Sequence, residues 1–158
     1  LVTDEYDGLE CPHGLKSRVY MFDITHETHP MPLSTWQVPI GNHCDIGGNF
    51  GPHQHAETVN GYLNQFENKL AWIAYLNAGV RVLDISDPQN LTEVGYYVPK
   101  TNASPRPSEM RPAVIELTDV DIDHRGLVYA TDRSGESCVG QGESCVGTGL
   151  FVLQYTGD

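Results

Sequence analysis

The chain has 158 residues, of which 21 are acidic and 9 basic, giving a formal net charge of −12. Such a surface repels nucleic acid and anionic lipid, and no apolar run approaches the ~18 residues of a membrane-spanning helix. Lys and Arg are scarce, while 16 Gly and 10 Pro punctuate short runs rich in Val, Ile, Tyr, Phe and Trp. That pattern predicts an all-β protein of short strands.

In chain order the first unit carries strands near 1–5, 18–24 and 32–38. The second carries four, near 53–60, 69–77, 79–86 and 92–99. The third carries three, near 118–123, 126–132 and 149–155. Within the second unit Val80, Val82 and Asp84 alternate with Arg81, Leu83 and Ile85, the period of a strand with two distinct faces. No stretch keeps apolar residues at i, i+3, i+4 and i+7 long enough to predict a helix.

The units are copies of one another. Leu1-Val-Thr-Asp-Glu5, Ile73-Ala-Tyr-Leu-Asn77 and Tyr129-Ala-Thr-Asp-Arg133 correspond, and residues 22–36 align without a gap to residues 83–97. A repeated strand–turn–strand unit of this kind predicts β-propeller blades, near 1–38, 52–99 and 113–155. A propeller usually needs about four to eight blades. The chain is therefore expected to be part of a larger ring, with an open stack of three blades, edges exposed, as the alternative.

Two segments interrupt the repeat. Residues 39–68 form an insert that lengthens the spacing between the first two units. Residues 134–148 hold Gly135-Glu-Ser-Cys-Val-Gly-Gln141 followed by its near copy Gly142-Glu-Ser-Cys-Val-Gly-Thr148, which reads as a loop decoration. The four cysteines, Cys11, Cys44, Cys138 and Cys145, permit three pairings and contain no Cys-x-x-Cys knuckle. With the glycosylation triplets at Asn90 and Asn102, they predict an oxidising, extracytoplasmic setting.

Histidines supply the one constellation with chemical potential. His53 and His55 share a strand face that Glu57 continues. Imidazole with carboxylate suits zinc or copper, and His43, Cys44 or His13 would complete the set. Alternatively, His53 on an innermost strand hydrogen-bonds to neighbouring loops near the channel. His26 and His29 fall in a turn, at the positions that Asp87 and Asn90 hold in the second unit. The recurring Asp4 and Asp132, and Asp23 and Asp84, read as turn-holding acceptors. Asp119, Asp121 and Asp123 alternate on one face, a weak pattern for Ca²⁺. No nucleophile elbow, phosphate-cradling loop or zinc-protease helix is present.

Asn77-Ala-Gly-Val-Arg-Val-Leu-Asp-Ile-Ser-Asp-Pro88, with Glu93-Val-Gly-Tyr-Tyr-Val-Pro99 after it, resembles the repeat of LVIVD-repeat β-propeller proteins. Asp119-Val-Asp-Ile-Asp-His-Arg-Gly-Leu-Val-Tyr-Ala-Thr-Asp132 and Gly149-Leu-Phe-Val-Leu153 are similar to that family's last blade. Phe50-Gly-Pro-His53 with Glu57 resembles a segment that precedes its Ala-Gly-Val-Arg repeat. The resemblance implies the C-terminal portion of a longer, exported protein, and says little about activity. The expected function is a binding or scaffold module for a protein partner or assembly. The alternative is a copper- or zinc-dependent oxidoreductase with channel-facing histidines, loosely like the selenium-binding and methanethiol oxidase propellers.

Overall fold

The computed structural model describes residues 1–5, 17–39, 41–45, 48–57, 69–100, 114–133 and 149–157. Among them there is no helix, and hence none long and apolar enough to cross a membrane. Ten strands form three antiparallel sheets. Sheet I holds β1 (Val2–Thr3), β2 (Val19–Asp23) and β3 (Met31–Trp36) in that order. Sheet II runs β4 (Gln54–His55), β5 (Leu70–Ala74), β6 (Val80–Asp84) and β7 (Thr92–Tyr97). Sheet III consists of β8 (Leu117–Ile122), β9 (Leu127–Asp132) and β10 (Gly149–Gln154).

The repeat extends from the letters into the hydrogen bonds. β2 pairs with β3 through Val19↔Trp36 and Asp23↔Met31, and β6 with β7 through Val80↔Tyr97 and Asp84↔Thr92, each 61 residues further on. Even the bulges correspond, at Met21/Phe22 and at Val82/Leu83. The turns match as well. His29 N–H donates to His26 O at 2.8 Å, as Asn90 N–H donates to Asp87 O at 3.0 Å. Asp23 and Asp84 each accept from the backbone N–H two residues on, Thr25 and Ser86, at 2.8 Å. At Asp23 the Thr25 hydroxyl and then its N–H, and at Asp84 the Ser86 N–H and then its hydroxyl, hold the carboxyls below their ordinary pKa. These are the turn-holding aspartates that the repeat implied.

Sheet II lies between the other two because its strands are apolar on both faces. Trp72, Ala74, Val80 and Val82 pack with Ile115, Leu117, Val120, Val128 and Ala130 towards sheet III. Ile73, Tyr75 and Leu83 pack with Val19 and Val38, and with Phe50 and Leu91, towards sheet I. Edge-on aromatic pairs reinforce both seams, Trp72 with Tyr155 at 5.5 Å and Trp36 with Tyr75 at 6.0 Å between centroids. A reciprocal backbone bridge between Leu76 and Leu117 ties sheets II and III at the head of the β5–β6 turn. Leu76 sits there at φ 37°, a conformation that a β-carbon disfavours. The two bonds to Leu117 help hold it there.

Pairing also refines the alignment. Asp4 N–H donates to Arg18 O as Tyr75 N–H donates to Gly79 O, and Asp132 lies opposite Gly149. Asp4, Tyr75 and Asp132 therefore share one place, and the residues after them, Glu5, Leu76 and Arg133, share the next. The letters alone had set the second copy one residue out, because Tyr75-Leu76 offers no acidic residue to anchor on.

Candidate functional site

Residues from all three sheets meet at His53, just ahead of β4. Its backbone N–H donates to Ala74 O at 2.8 Å, which continues the β4–β5 ladder by one residue. Its carbonyl accepts the Thr3 hydroxyl of sheet I at 3.0 Å. On the side chain, Nε2 lies 3.1 Å from Glu5 Oε1 and 3.4 Å from Arg133 Nη1. Arg133 Nη2 stands 3.8 Å from the same Glu5 oxygen. One carboxylate, one imidazole and one guanidinium, each from a different sheet, thus close on one another. With the proton on Nε2 the imidazole donates to Glu5; with it on Nδ1 the imidazole accepts from Arg133.

Behind this centre lies a second buried layer. Glu116 N–H donates to Asp132 Oδ1 at 3.1 Å, and Glu116 O accepts from Arg133 N–H at 3.1 Å. The Glu116 carboxylate accepts Asn49 N–H at 3.1 Å, which draws the insert onto sheet III. Asn77 adds a tie to the same insert, its amide donating to His43 O at 2.9 Å and its N–H to Asn49 O at 3.1 Å. Arg133 is thereby aimed by its own backbone, while Glu5 is nearly half exposed.

The histidine set is distributed rather than gathered. His55 lies opposite Ile73 in β4, half-buried, with exposed Glu57 nearby. Burial lowers its pKa, and Glu57 only partly opposes that. His43 sits in the insert, stacked on Phe50 at 5.4 Å, and burial lowers its pKa with help from the Arg81 charge. The Nδ1 atoms of His43, His53 and His55 are all buried without a hydrogen-bond partner among the described residues. Among the described residues no three of His, Cys, Asp and Glu converge as a metal-holding group. At His53 the guanidinium puts a fixed positive charge beside Nε2, which opposes a cation there.

Asp119 and Asp121 each accept the backbone N–H of the next residue, at 2.8 and 2.7 Å. Asp123 instead organises the β8–β9 turn, accepting from Arg125 and Leu127 N–H, the Arg125 guanidinium and the Tyr129 hydroxyl. Desolvation raises its pKa, but those bonds together hold the carboxyl well below the usual range. Each of the three carboxylates thus already accepts backbone N–H bonds. Asn90 is exposed in the β6–β7 turn. Cys44 is disulfide-bonded. The other three cysteines, Cys11, Cys138 and Cys145, lie outside the described residues, as do His13, Asn102 and the 134–148 loop.

Glu5 and Arg133 were not singled out by motif. Their signal was positional: both close the corresponding five-residue blocks of the first and third units, so stacked copies had to bring them to one level. The comparisons add no relative to this geometry, since no family model, curated protein or solved structure matches the chain.

Proposed function

We propose that the three sheets are blades of an LVIVD-type β-propeller working outside the cytoplasm as a binding or scaffold module. Support for the blade reading is the shared register, the shared bulges and the face-to-face order of the sheets. Disulfide-bonded Cys44 and exposed Asn90 favour an oxidising compartment. The observation that carries the binding role is where polar and apolar groups lie. Glu5 and Arg133 both face His53 Nε2 where the three sheets meet, whereas large apolar side chains stand exposed on outer strands.

Tyr96 on β7 is the clearest of these, 69% exposed. The Arg81 guanidinium lies 4.9 Å from its ring centroid, anchored by bonds to Ala78 O at 2.9 Å and Glu93 at 3.1 Å. A ring held over a fixed cation loses little freedom on docking, which suits a protein contact. A photo-reactive residue placed at position 96, with exposed His26 as the control position, tests this in native surroundings. A discrete adduct from 96 and none from 26 supports the reading; equal smears or no adduct at either overturns it.

One observation keeps the copper- or zinc-dependent oxidoreductase as a second reading, the three unpartnered Nδ1 atoms of His43, His53 and His55. The described side chains do not converge as a ligand set, so no catalytic step is assigned. Elemental analysis of natively purified, chelator-free protein decides between the two. Near-stoichiometric metal lost in His53→Ala with an unchanged circular dichroism spectrum favours the oxidoreductase; metal-free protein removes it.

A further inference from the structure

Arg81, Arg125 and Arg133 are engaged very differently. The Arg81 guanidinium donates to Ala78 O at 2.9 Å and to Glu93 at 3.1 Å. That of Arg125 donates to Asp123 at 2.9 and 2.7 Å and to the Tyr129 hydroxyl at 2.9 Å. Arg133 comes only within 3.4 Å of His53 Nε2 and 3.8 Å of Glu5 Oε1, the second distance too long for a hydrogen bond. A guanidinium offers a planar fork of N–H donors, and among the described residues this one closes none of them at short range. Its side chain is 33% exposed.

Glu5 is the counterpart of opposite sign. Its Oε1 faces His53 Nε2 at 3.1 Å, while Oε2 meets no hydrogen-bond partner among the described residues. The backbone keeps the three groups where they are. Arg133 N–H donates to Glu116 O, and His53 N–H to Ala74 O. His53 O accepts the Thr3 hydroxyl, and Asp4 N–H, one residue before Glu5, donates to Arg18 O. A carboxylate and a guanidinium free to move would close to about 2.8 Å. Here they stand apart with an imidazole between them, each with bonding capacity to spare.

We propose that this centre binds a small zwitterion of the α-amino-acid type. The ligand carboxylate takes the spare N–H donors of Arg133, and its ammonium donates to Glu5 Oε2. His53 Nε2 donates or accepts between them, according to its tautomer. Singly charged ligands fit less well. A lone carboxylate is drawn by Arg133 and repelled by Glu5 beside it, and a lone ammonium meets the reverse. Only a molecule carrying both charges, as close together as 3.8 Å separates the protein's own, gains from both. The site rests on these three side chains and not on the propeller reading. A further sheet laid on the outer face of sheet I or III would not come between them. It adds a small-molecule site at the centre to the protein contact on the outer strands.

The test is stepwise addition of glycine to the purified protein, followed by NMR through the His53 ring signals, with acetate and methylammonium as half-ligands at matched ionic strength. Glycine should bind saturably, and each half-ligand at least about tenfold more weakly, since each forgoes one set of charge-assisted bonds. Glu5→Gln and Arg133→Gln, with unchanged circular dichroism spectra, should each weaken glycine by a similar factor. They should also move the preference in opposite directions: acetate gains on glycine in Glu5→Gln, and methylammonium gains in Arg133→Gln. A merely structural role for either side chain would not exchange the preferences. Arg133→Lys keeps the charge and should retain glycine binding that Arg133→Gln loses. No saturation of the wild type by glycine, acetate binding as tightly as glycine, or glycine affinity unchanged in both Gln variants overturns the proposal.

Discussion

Gly79 in sheet II and Gly149 in sheet III stand at the same place in the repeat, both with left-handed φ, 84° and 91°. Their surroundings differ. A β-carbon on Gly79 would run into the backbone of Tyr97 and Val98 at the end of β7, whereas one on Gly149 meets nothing within 4 Å. The same contrast holds for Val80 and Val82 against Leu150 and Val152. Gly79 and Gly149 thus share a backbone conformation, but the neighbouring strand and sheet decide what a side chain there is worth.

The largest expected break of that contrast is Gly79→Ala. It adds the left-handed penalty of about 1–2 kcal/mol to a backbone collision that no rotamer relieves. We expect a loss of at least about 3 kcal/mol in urea unfolding, or failure to fold, while Gly149→Ala loses only about 1–2. Equal losses would show that the glycines serve conformation alone. Next in size are Leu83→Ala and Leu117→Ala, one in each seam, at about 2–5 kcal/mol apiece. Val152→Ala, measured at dilution, should stay within about 0.5 kcal/mol. A large cost at Val152 under those conditions would mean that sheet III is covered within a single chain.

Glu93→Gln probes the polar part of the seam beside sheet I. The Arg81 side chain is nearly buried and Glu93 is less so, with 3.1 Å between them. Removing the anion strands a buried cation, so Glu93→Gln should cost more than Arg81→Met, up to about 3 kcal/mol against about 1. The reverse order would mean that Arg81 contributes through its stem and its contact with Tyr96 instead of its charge.

The number of strands among the described residues and the places of most of them were legible in the sequence because β-branched and aromatic runs alternate between glycine-rich turns, and because one unit is copied. β1 and β4 are shorter than the runs near 1–5 and 53–60 suggest. The gapless match of 22–36 with 83–97 gave no sign of the bulges that both sheets carry at its edge. The centre was legible only in part. His53 could be placed at the head of a strand, but its partners Glu5 and Arg133 lie 48 and 80 residues away in the chain. Spacing along one strand cannot show convergence between strands. It suggested His53, His55 and Glu57 as one set, whereas in space His53 turns to Glu5 and Arg133, and His43 lies over Phe50. Nor could composition show that Arg81, an ordinary surface type, is buried beneath Tyr96.

The smallest effects concern protons, and they separate the histidines from the turn aspartates. Burial keeps His43 and His55 below their ordinary pKa of 6.5, so the folded chain binds fewer protons than the unfolded one. Stability from this source is complete above about 6.5 and falls as pH drops below it towards the depressed folded values. Asp23, Asp84 and Asp123 are lowered from 3.8, so their contribution survives that window and is lost only as pH falls below about 4. Urea midpoints measured against pH should therefore show two separate declines. His55→Gln should flatten the upper one and leave the lower. Asp123→Asn, which replaces the oxygen that accepts from the Arg125 guanidinium and the Tyr129 hydroxyl with a donor, should do the opposite. An upper decline unchanged in both His55→Gln and His43→Gln would mean that neither imidazole is held neutral by the fold, and that their buried Nδ1 atoms find partners in solution.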